Sequence, residues 1–357
     1  MRSDTRNMGA RPSCTSPTSE GNASRPHALS GLDQCFLHRF LRRALFATAL
    51  AAVPGATALA QSFPASAIRI LVPVAPGGPL DLTARVLAEH FTSAWDRPMI
   101  VDNRPGAATL LAARAVAQAE PNGYTLLLTT SSLSSYSTLV KDPKIDVQKD
   151  LAYVSLVARV PMFMAVSAAE KIGSVSDLVA AARANPARLN YGAYGNANRI
   201  MTELVNRTLK IQVTHIGYSG AAPAAQALMR GEVAFMLDSM STLSPLVAGG
   251  KLKVLAVTEP VRVPAYPAIQ TLNEAGFVMP DFSVWYGLVA PAGTPAEITD
   301  KLSREVAVFA KSATARNRLE GFGFILASST PQEFRQTVLK GETVFQDIAM
   351  SLGIQPE

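Results

Sequence analysis

The sequence is poor in the side chains that most catalytic and metal-binding sites use. It contains two cysteines, Cys14 and Cys35, and four histidines, of which only His90 and His215 lie beyond residue 60. So few thiols and imidazoles leave little material for a Cys-ligated metal or a histidine-activated nucleophile. The motifs G-x-S-x-G and H-E-x-x-H are also absent from the sequence. We therefore expect no catalytic residues, no metal and no cofactor.

The N-terminal part has the pattern of an export signal. Three arginines precede an alanine-rich apolar run, and an A-x-A sequence ends at Ala60. This order predicts residues 1–60 to be an N-terminal extension and signal peptide, cleaved between Ala60 and Gln61, and places the protein in the periplasm. A membrane anchor is the alternative, but Pro54 interrupts the apolar run, which is short for a spanning helix.

The remaining chain has little excess charge and no long apolar run. Seven of the 33 Lys and Arg residues and three of the 27 Asp and Glu residues precede residue 61, so the formal net charge falls from +6 to +2. This balance argues against a nucleic-acid partner. No segment after residue 60 reaches eighteen uninterrupted apolar residues. We therefore expect a soluble mature chain.

Branched apolar runs alternate with helical patterns along the chain. The run "IRILVPV" precedes "LDLTARVLAEHFTSA", and "MIVDN" precedes a helical pattern that ends before "EPNGY". This alternation predicts βαβ units in two α/β lobes. Extended runs at 151–167 and 281–295 are predicted to cross between the lobes. Lobe I would hold 61–160 and 286–357, lobe II would hold 161–285, and Trp285 would report hinge closure.

A glycine turn precedes the first predicted helix, in "APGGPLD", Ala75 to Asp81. Strand, glycine turn and helix is the usual arrangement of an anion site, because the first N–H groups of a helix lack partners and carry partial positive charge. The turn lacks the G-x-G-x-x-G and G-K-[ST] spacings of phosphate loops. The alternative is a plain turn, in which Gly78 caps the helix and Asp81 favours its first turn.

Several segments resemble the extracytoplasmic solute receptors of the tripartite tricarboxylate transporters, often called Bug receptors. The segments that carry the resemblance are "IRILVPVAPGGPLDLTARVLAE", "PMIVDNRPGAATLLAARAVAQAEPNGYTLLLTT", "VTHIGYSGAAPAAQALMRGEVAFMLD", "GKLKVLAVTEPVRVPAYPAIQTLNEAGF" and "VWYGLVAPAGTP". They follow one another in family order over nearly the whole chain after residue 60. The resemblance implies an α/β, two-lobe periplasmic-binding-protein type II fold with a hinged cleft, and no catalysis.

The resemblance also implies where a ligand binds. Family members hold carboxyl groups mainly through backbone N–H groups and ordered water, for which glycines let the main chain come close. Matching motifs place the lobe I contribution at Ala75, Gly77 and Gly78, with Ser131 and Ser132 as neighbours or, alternatively, as solvated loop serines. Asp81 is a further candidate, with a role at the helix start as the stronger alternative.

The lobe II loop "YGAYGNANRIMTE" departs from the small Ser/Gly-rich loop of the family. Asn196, Asn198 and Arg199 are its candidate ligand contacts, although Asn198 also suits a helix cap and Arg199 a surface position. Tyr218 and Asp238, at predicted strand ends, complete the set. His215 lies in an apolar strand and is interpreted as a core histidine.

The resemblance implies that the protein captures a small carboxylated solute and delivers it to the large and small membrane subunits of a tripartite permease, acting as a monomer. Two alternatives stay open. A receptor of this kind can signal to a membrane sensor protein, since both functions use the same closed form. The second alternative is an exported enzyme with an α/β fold. The sequence contains no catalytic motif that would support it.

Overall fold

The computed structural model describes residues 63–106, 109–185, 189–280 and 282–356. They belong to one unit, Gln61–Glu357. The predicted export signal and its cleavage point lie outside the described residues. Within these ranges no helix is long and apolar enough to cross a membrane.

The first sheet is mixed and has six strands. They are β1 (Ile68–Val72), β2 (Met99–Asn103), β3 (Thr125–Thr130), β4 (Leu151–Val160), β10 (Val284–Pro291) and β11 (Ile325–Leu326), in the spatial order β11-β4-β10-β3-β1-β2. β1 pairs in parallel with β2 and β3, whereas β10 is antiparallel to β3 and β4. Ile70 and Leu71 of β1 are buried in different apolar clusters, since successive side chains point to opposite faces of a strand. The sheet is therefore covered on both faces.

The second sheet has five strands and repeats this arrangement. They are β5 (Phe163–Ser167), β6 (Asn190–Tyr194), β7 (Thr214–Tyr218), β8 (Phe235–Asp238) and β9 (Leu252–Val257), in the order β7-β6-β8-β5-β9. β6 is parallel to β7 and β8, and β5 is antiparallel to β8 and β9. Met164 and Ala165 again belong to different apolar clusters, so this sheet too is packed on both faces.

Helices connect the strands and cover the sheets. They are α1 (Pro79–Trp95), α2 (Leu110–Ala117), α3 (Tyr136–Leu139), α4 (Val175–Ala184), α5 (Gly195–Leu209), α6 (Ala221–Met229), α7 (Met240–Ala248), α8 (Ala296–Lys311), α9 (Ala313–Leu319) and α10 (Pro331–Leu352). Short 3-10 turns occupy Ser131–Ser135 and Glu320–Phe322.

The chain passes between the sheets twice. The first passage is at residues 161–162, between β4 and β5, and the second lies between β9 and β10. Val284 and Trp285 pair with β4, so they belong to the first sheet, although the sequence placed them in lobe II. Trp285 is 2% exposed and packs edge to face on Phe334, with ring centroids 5.0 Å apart. The second passage ends earlier than predicted, because the apolar run from Val284 is already a strand of the first sheet.

Helix α10 packs against the cores of both sheets. It begins with a capping box, in which Thr330 and Glu333 satisfy each other's backbone N–H groups, and it spans 22 residues. Near its start, Phe334 is buried beside first-sheet residues, whereas Phe345 and Ile348 are buried in a cluster dominated by second-sheet residues. The sequence assigned the whole helix to lobe I. Its C-terminal half instead packs on the other core.

Candidate functional site

A cavity of about 970 Å³ is lined by residues from both sheets and their helices. Thr130, Tyr194 and Asp238 are the last residues of β3, β6 and β8, and all three line it. Carboxyl ends of strands are where open α/β sheets bind ligands. Five helices also begin at this wall, namely α1, α2, α5, α6 and α7. Helix N-termini from both the first-sheet half and the second-sheet half of the molecule therefore line the cavity.

The structure brings some of the predicted site residues to this cavity. The residues that line it are Gly78, Ser131, Ser132, Asn198 and Asp238. The predicted residues outside its lining are Ala75, Gly77, Asp81, Arg199 and Tyr218. The side chain of Asn196 lies outside the described part of the structure.

Gly78 presents open backbone to the cavity. It is the N-cap of α1, in an extended conformation, and no side chain caps the helix. A Cβ built on Gly78 would meet no atom within 4 Å. Pro79 follows as the first helical residue and has no N–H, so the N–H groups that α1 can offer a ligand are those of the next helical residues, Leu80 and Asp81. Gly77 has φ +94°, a conformation that favours glycine.

Asp81 stabilises this turn through hydrogen bonds to its carboxylate. Its carboxylate accepts hydrogen bonds from the Gly77 N–H, the Arg85 Nε and the Asn103 Nδ2, each at 2.9 Å. Burial raises the pKa of Asp81, but these hydrogen bonds outweigh it and lower the pKa below its usual value. Asn103 also donates to the Val74 carbonyl at 3.0 Å. The carboxylate therefore fixes the turn and does not line the cavity, in agreement with the alternative role at the helix start.

The serine loop after β3 is held by its own hydrogen bonds. The Thr130 Oγ1 accepts from the Ser132 N–H at 3.2 Å, and the Ser135 hydroxyl donates to the Ser132 carbonyl at 2.7 Å. The Ser134 hydroxyl donates to the Val338 carbonyl of α10 at 3.0 Å. These contacts place Ser131 and Ser132 on the cavity wall in one fixed conformation.

Arg114 and Tyr136 line the cavity, although neither was among the candidates predicted from the sequence. The Arg114 Nε donates to the Pro143 carbonyl at 2.8 Å, and Arg114 also lines the cavity. The Tyr136 hydroxyl lies 2.5 Å from the Thr109 Oγ1. Burial raises the pKa of Tyr136 to about 12, so this hydroxyl stays protonated at neutral pH. The signal available was Arg114 itself, the one charged residue in "LLAARAVA".

Asn198 and Tyr194 join the second-sheet strands at the cavity. The Asn198 Oδ1 accepts from the Tyr194 N–H at 3.3 Å, and its Nδ2 donates to the Leu237 carbonyl at 3.1 Å. The Tyr194 hydroxyl donates to the Asp238 Oδ2 at 3.1 Å, and the Ser239 N–H donates to Oδ1 at 2.7 Å. Burial raises the pKa of Asp238 to about 6, against the lowering effect of these hydrogen bonds.

Tyr286 adds a hydroxyl from the first sheet. The residue is 8% exposed, lines the cavity and packs edge to face on Phe324. Burial and, to a smaller extent, the nearby charge of Asp238 raise the pKa of this hydroxyl, so it stays protonated. A nearly buried hydroxyl at a cavity is a candidate to bond to a ligand, because leaving it unpaired is unfavourable.

Arg199 and Tyr218 lie elsewhere in the second-sheet half. Arg199 lies close to His215 and Tyr191 and influences the pKa of each. Burial and, to a smaller extent, the positive charge of Arg199 lower the pKa of His215. The Tyr191 hydroxyl donates to Glu203. Tyr218 ends the edge strand β7, and its ring lies over Gly192. His215 stacks at 5.3 Å from Tyr191 and also lies outside the lining.

The described residues contain no group of three His, Cys, Asp or Glu side chains that could hold a metal ion. The cavity wall offers hydroxyls, helix N-termini, one guanidinium and one carboxyl group. These groups suit binding of an anionic small molecule.

Comparison with known proteins agrees with this geometry. Residues 83–347 match the family model of the tripartite tricarboxylate transporter family receptor. The chain belongs to this family. It is 32% identical to the protein BugT of Bordetella pertussis over 282 residues, which cover 77% of this chain and 86% of BugT. This tripartite tricarboxylate transporter receptor is also similar to two solved structures from Rhodopseudomonas palustris.

The first of these structures is Rpa4515 with adipate, at 30% identity and a TM-score of 0.72, covering 83% of this chain and 100% of that one. The second is MatC with bound malate, at 28% identity and a TM-score of 0.65, covering 80% and 99%. The predicted family, the periplasmic-binding-protein fold and the absence of an enzymatic function are confirmed. The receptor is a periplasmic solute-binding protein.

Proposed function

We propose that this receptor binds a small carboxylated solute in the cavity between its two sheets. The observation that carries the proposal is the convergence of five helix N-termini on one cavity, which Arg114 also lines. Helix N-termini offer free N–H groups and partial positive charge, and a guanidinium adds a charge-assisted donor. The adipate and malate held by two similar proteins are both carboxylates, which supports the same ligand class here.

We infer in addition that the two lobes close around the solute and that the closed receptor delivers it to the large and small membrane subunits of a tripartite permease. The family supports this pairing. The lobes of this proposal are built on the first and second sheets. The receptor would act as a monomer, exported by the signal in residues 39–60 and cleaved after Ala60.

Thermal unfolding of the receptor purified from the periplasm tests the ligand class. A screen of mono-, di- and tricarboxylates is compared with the corresponding amides, which keep the shape of each acid without its charge. A ligand at one hundred times its dissociation constant stabilises the folded state by about 2.7 kcal/mol. At least one acid is expected to raise the melting temperature while its amide does not. Equal stabilisation by acids and amides would contradict carboxylate recognition.

The same periplasmic material tests the export proposal. Mass spectrometry is expected to give an N-terminus at or within a few residues of Gln61. An intact N-terminus upstream of Arg39 would contradict cleavage.

A further inference from the structure

One side of the cavity is apolar, and we name it the apolar wall. Its residues are Leu139, Met162, Met201, Phe282, Val284 and Phe345. They come from α3, the first passage between the sheets, α5, the residues before β10, β10 itself and α10. They belong to or pack against one apolar cluster. Phe282 and Phe345 meet edge to face at 5.7 Å.

Two residues of the apolar wall are accessible to a ligand in the cavity. Phe282 and Val284 are only partly buried by the protein, whereas Leu139, Met162, Met201 and Phe345 are 2–6% exposed. Apolar surface of this kind gains free energy when a ligand removes it from water. A compact, fully hydrated acid would leave this surface wet, whereas an apolar chain or ring would cover it.

The charged side chains of the cavity also favour a ligand with few carboxylates. Among the described lining residues, Arg114 is the one basic side chain and Asp238 the one acidic side chain. Asp238 is 3% exposed and already accepts hydrogen bonds from Tyr194 and Ser239. A ligand with three carboxylates would have one guanidinium to share and would lie beside a carboxyl group, and like charges in a low-dielectric site repel.

The size of the cavity is consistent with a long ligand. Its volume of about 970 Å³ lies near the upper end of the range of pockets that bury drug-sized molecules. Thr130, Ser132, Tyr194 and Asp238 lie at strand ends and at helix starts, whereas the apolar wall comes from α3, the first passage, the second turn of α5, the start of β10 and α10. The lining therefore suits a ligand that is charged at one end and apolar along its body.

We propose that this receptor selects carboxylic acids with an extended apolar body, an alkyl chain or an aromatic ring, over compact polycarboxylates. The carboxylate binds at the helix N-termini near Gly78 and Ser132, and the body covers the apolar wall. This inference rests on the proposed binding of carboxylates and adds the chemical class of the molecule that carries them.

Titration calorimetry with two series of acids tests the proposal on the unmodified receptor. The first series is butanoate, hexanoate and octanoate, and the second is succinate and citrate. Affinity in the first series is expected to increase about fourfold for each added methylene until the wall is covered, the fold-change that corresponds to ~0.8 kcal/mol. Citrate is expected to bind at least tenfold more weakly than octanoate.

The outcomes separate this inference from the proposed function. Tighter binding of citrate than of octanoate, or an affinity that does not change with chain length, would overturn the apolar-body inference and leave carboxylate binding in place. Binding of octanamide as tightly as octanoate would instead overturn carboxylate recognition. If none of the acids binds, both proposals fail.

Val284→Thr locates the contact at the apolar wall. Threonine keeps the β-branched shape of valine, which suits a strand, and adds a hydroxyl at a partly exposed position, so β10 is expected to form as before. The variant is expected to weaken octanoate binding three- to tenfold and to change butanoate binding less than twofold. Val261→Thr is the matched control, because Val261 is 63% exposed, and should change neither affinity. Equal losses for both acids in Val284→Thr would contradict an apolar contact at this position.

Discussion

The Tyr194 hydroxyl donates a hydrogen bond to the Asp238 Oδ2 at 3.1 Å, and both residues end strands of the second sheet at the cavity. The Ser239 N–H, at the start of α7, donates to the other oxygen of the same carboxyl group at 2.7 Å. One buried acid therefore links two strand ends and a helix start on this side of the cavity. Protonation of the Asp238 carboxyl group therefore changes the stability of the folded state.

Asp238 should make the stability of the receptor depend on pH. Burial raises its pKa from 3.8 to about 6 in the folded state, so between about pH 4 and pH 6 the folded protein holds a proton that the unfolded chain releases. The contribution of Asp238 to the free energy of unfolding therefore falls as pH rises through this window, by about 3 kcal/mol in all.

Asp238→Asn removes this titration and tests it. The variant loses hydrogen bonds at every pH, so the informative quantity is how its stability relative to the original receptor changes with pH. Urea unfolding is expected to show that this difference shifts in favour of the variant by 2 to 3 kcal/mol, roughly, between pH 4 and pH 7. A difference that is the same at both pH values would show that the carboxyl group is not perturbed.

Gly78→Val should abolish carboxylate binding while the protein still folds. Gly78 has φ −81°, which valine can adopt, and its missing side chain would enter open space. That space is the cavity beside the first N–H groups of α1, so the branched side chain would keep a carboxylate away from them. Calorimetry is expected to show at least a tenfold loss of affinity. Gly321→Val is the matched control, because Gly321 also faces open space but lies away from the cavity.

Arg114→Gln and Arg199→Gln should differ in their effect on binding. Arg114 lines the cavity and Arg199 does not, although the sequence favoured Arg199 as the candidate. Loss of one charge-assisted hydrogen bond to a ligand carboxylate costs about 1.5–3 kcal/mol, a tenfold or larger loss of affinity. We expect this loss in Arg114→Gln and less than a twofold change in Arg199→Gln, measured by calorimetry with the same acid. The reverse order would contradict the placement of the two guanidinium groups.

Tyr286→Phe should weaken binding without weakening the fold. The ring packing on Phe324 is retained, and the change removes only the hydroxyl of a residue that lines the cavity. Affinity is expected to fall by about 0.5–1.5 kcal/mol, the contribution of a neutral hydrogen bond, while the melting temperature without ligand stays the same or rises. Unchanged affinity would show that the ligand does not reach this hydroxyl.

The first-sheet side of the cavity was predictable in part from the sequence, since Gly78, Ser131 and Ser132 line it and Ala75, Gly77 and Asp81 do not. Gly78, Ser131 and Ser132 follow apolar runs, and the carboxyl ends of neighbouring parallel strands meet at one sheet edge. The direction of a helical side chain was harder to predict. Asn198 and Arg199 are adjacent, yet successive residues point about 100° apart around a helix, so one lines the cavity and the other lies near His215.

Other parts of the site depend on contacts between distant segments. Arg114 lines the cavity and donates from its Nε to the Pro143 carbonyl, and Phe345 lines it while packing in the cluster on the second sheet. Neither contact leaves a local pattern. Trp285 was predicted to lie in the segment between the lobes, but it is part of β10 and its ring is buried against Phe334.

Helix α10 has a consequence for how the receptor unfolds. Phe334 belongs to the first-sheet core and Phe345 to the cluster on the second sheet, and both lie on one continuous helix. If either half unfolded, one end of that helix would lose its packing contacts. The contacts of the helix with the other half would then be weakened as well. The two halves should therefore lose structure together, in one calorimetric transition whose van't Hoff and measured enthalpies agree.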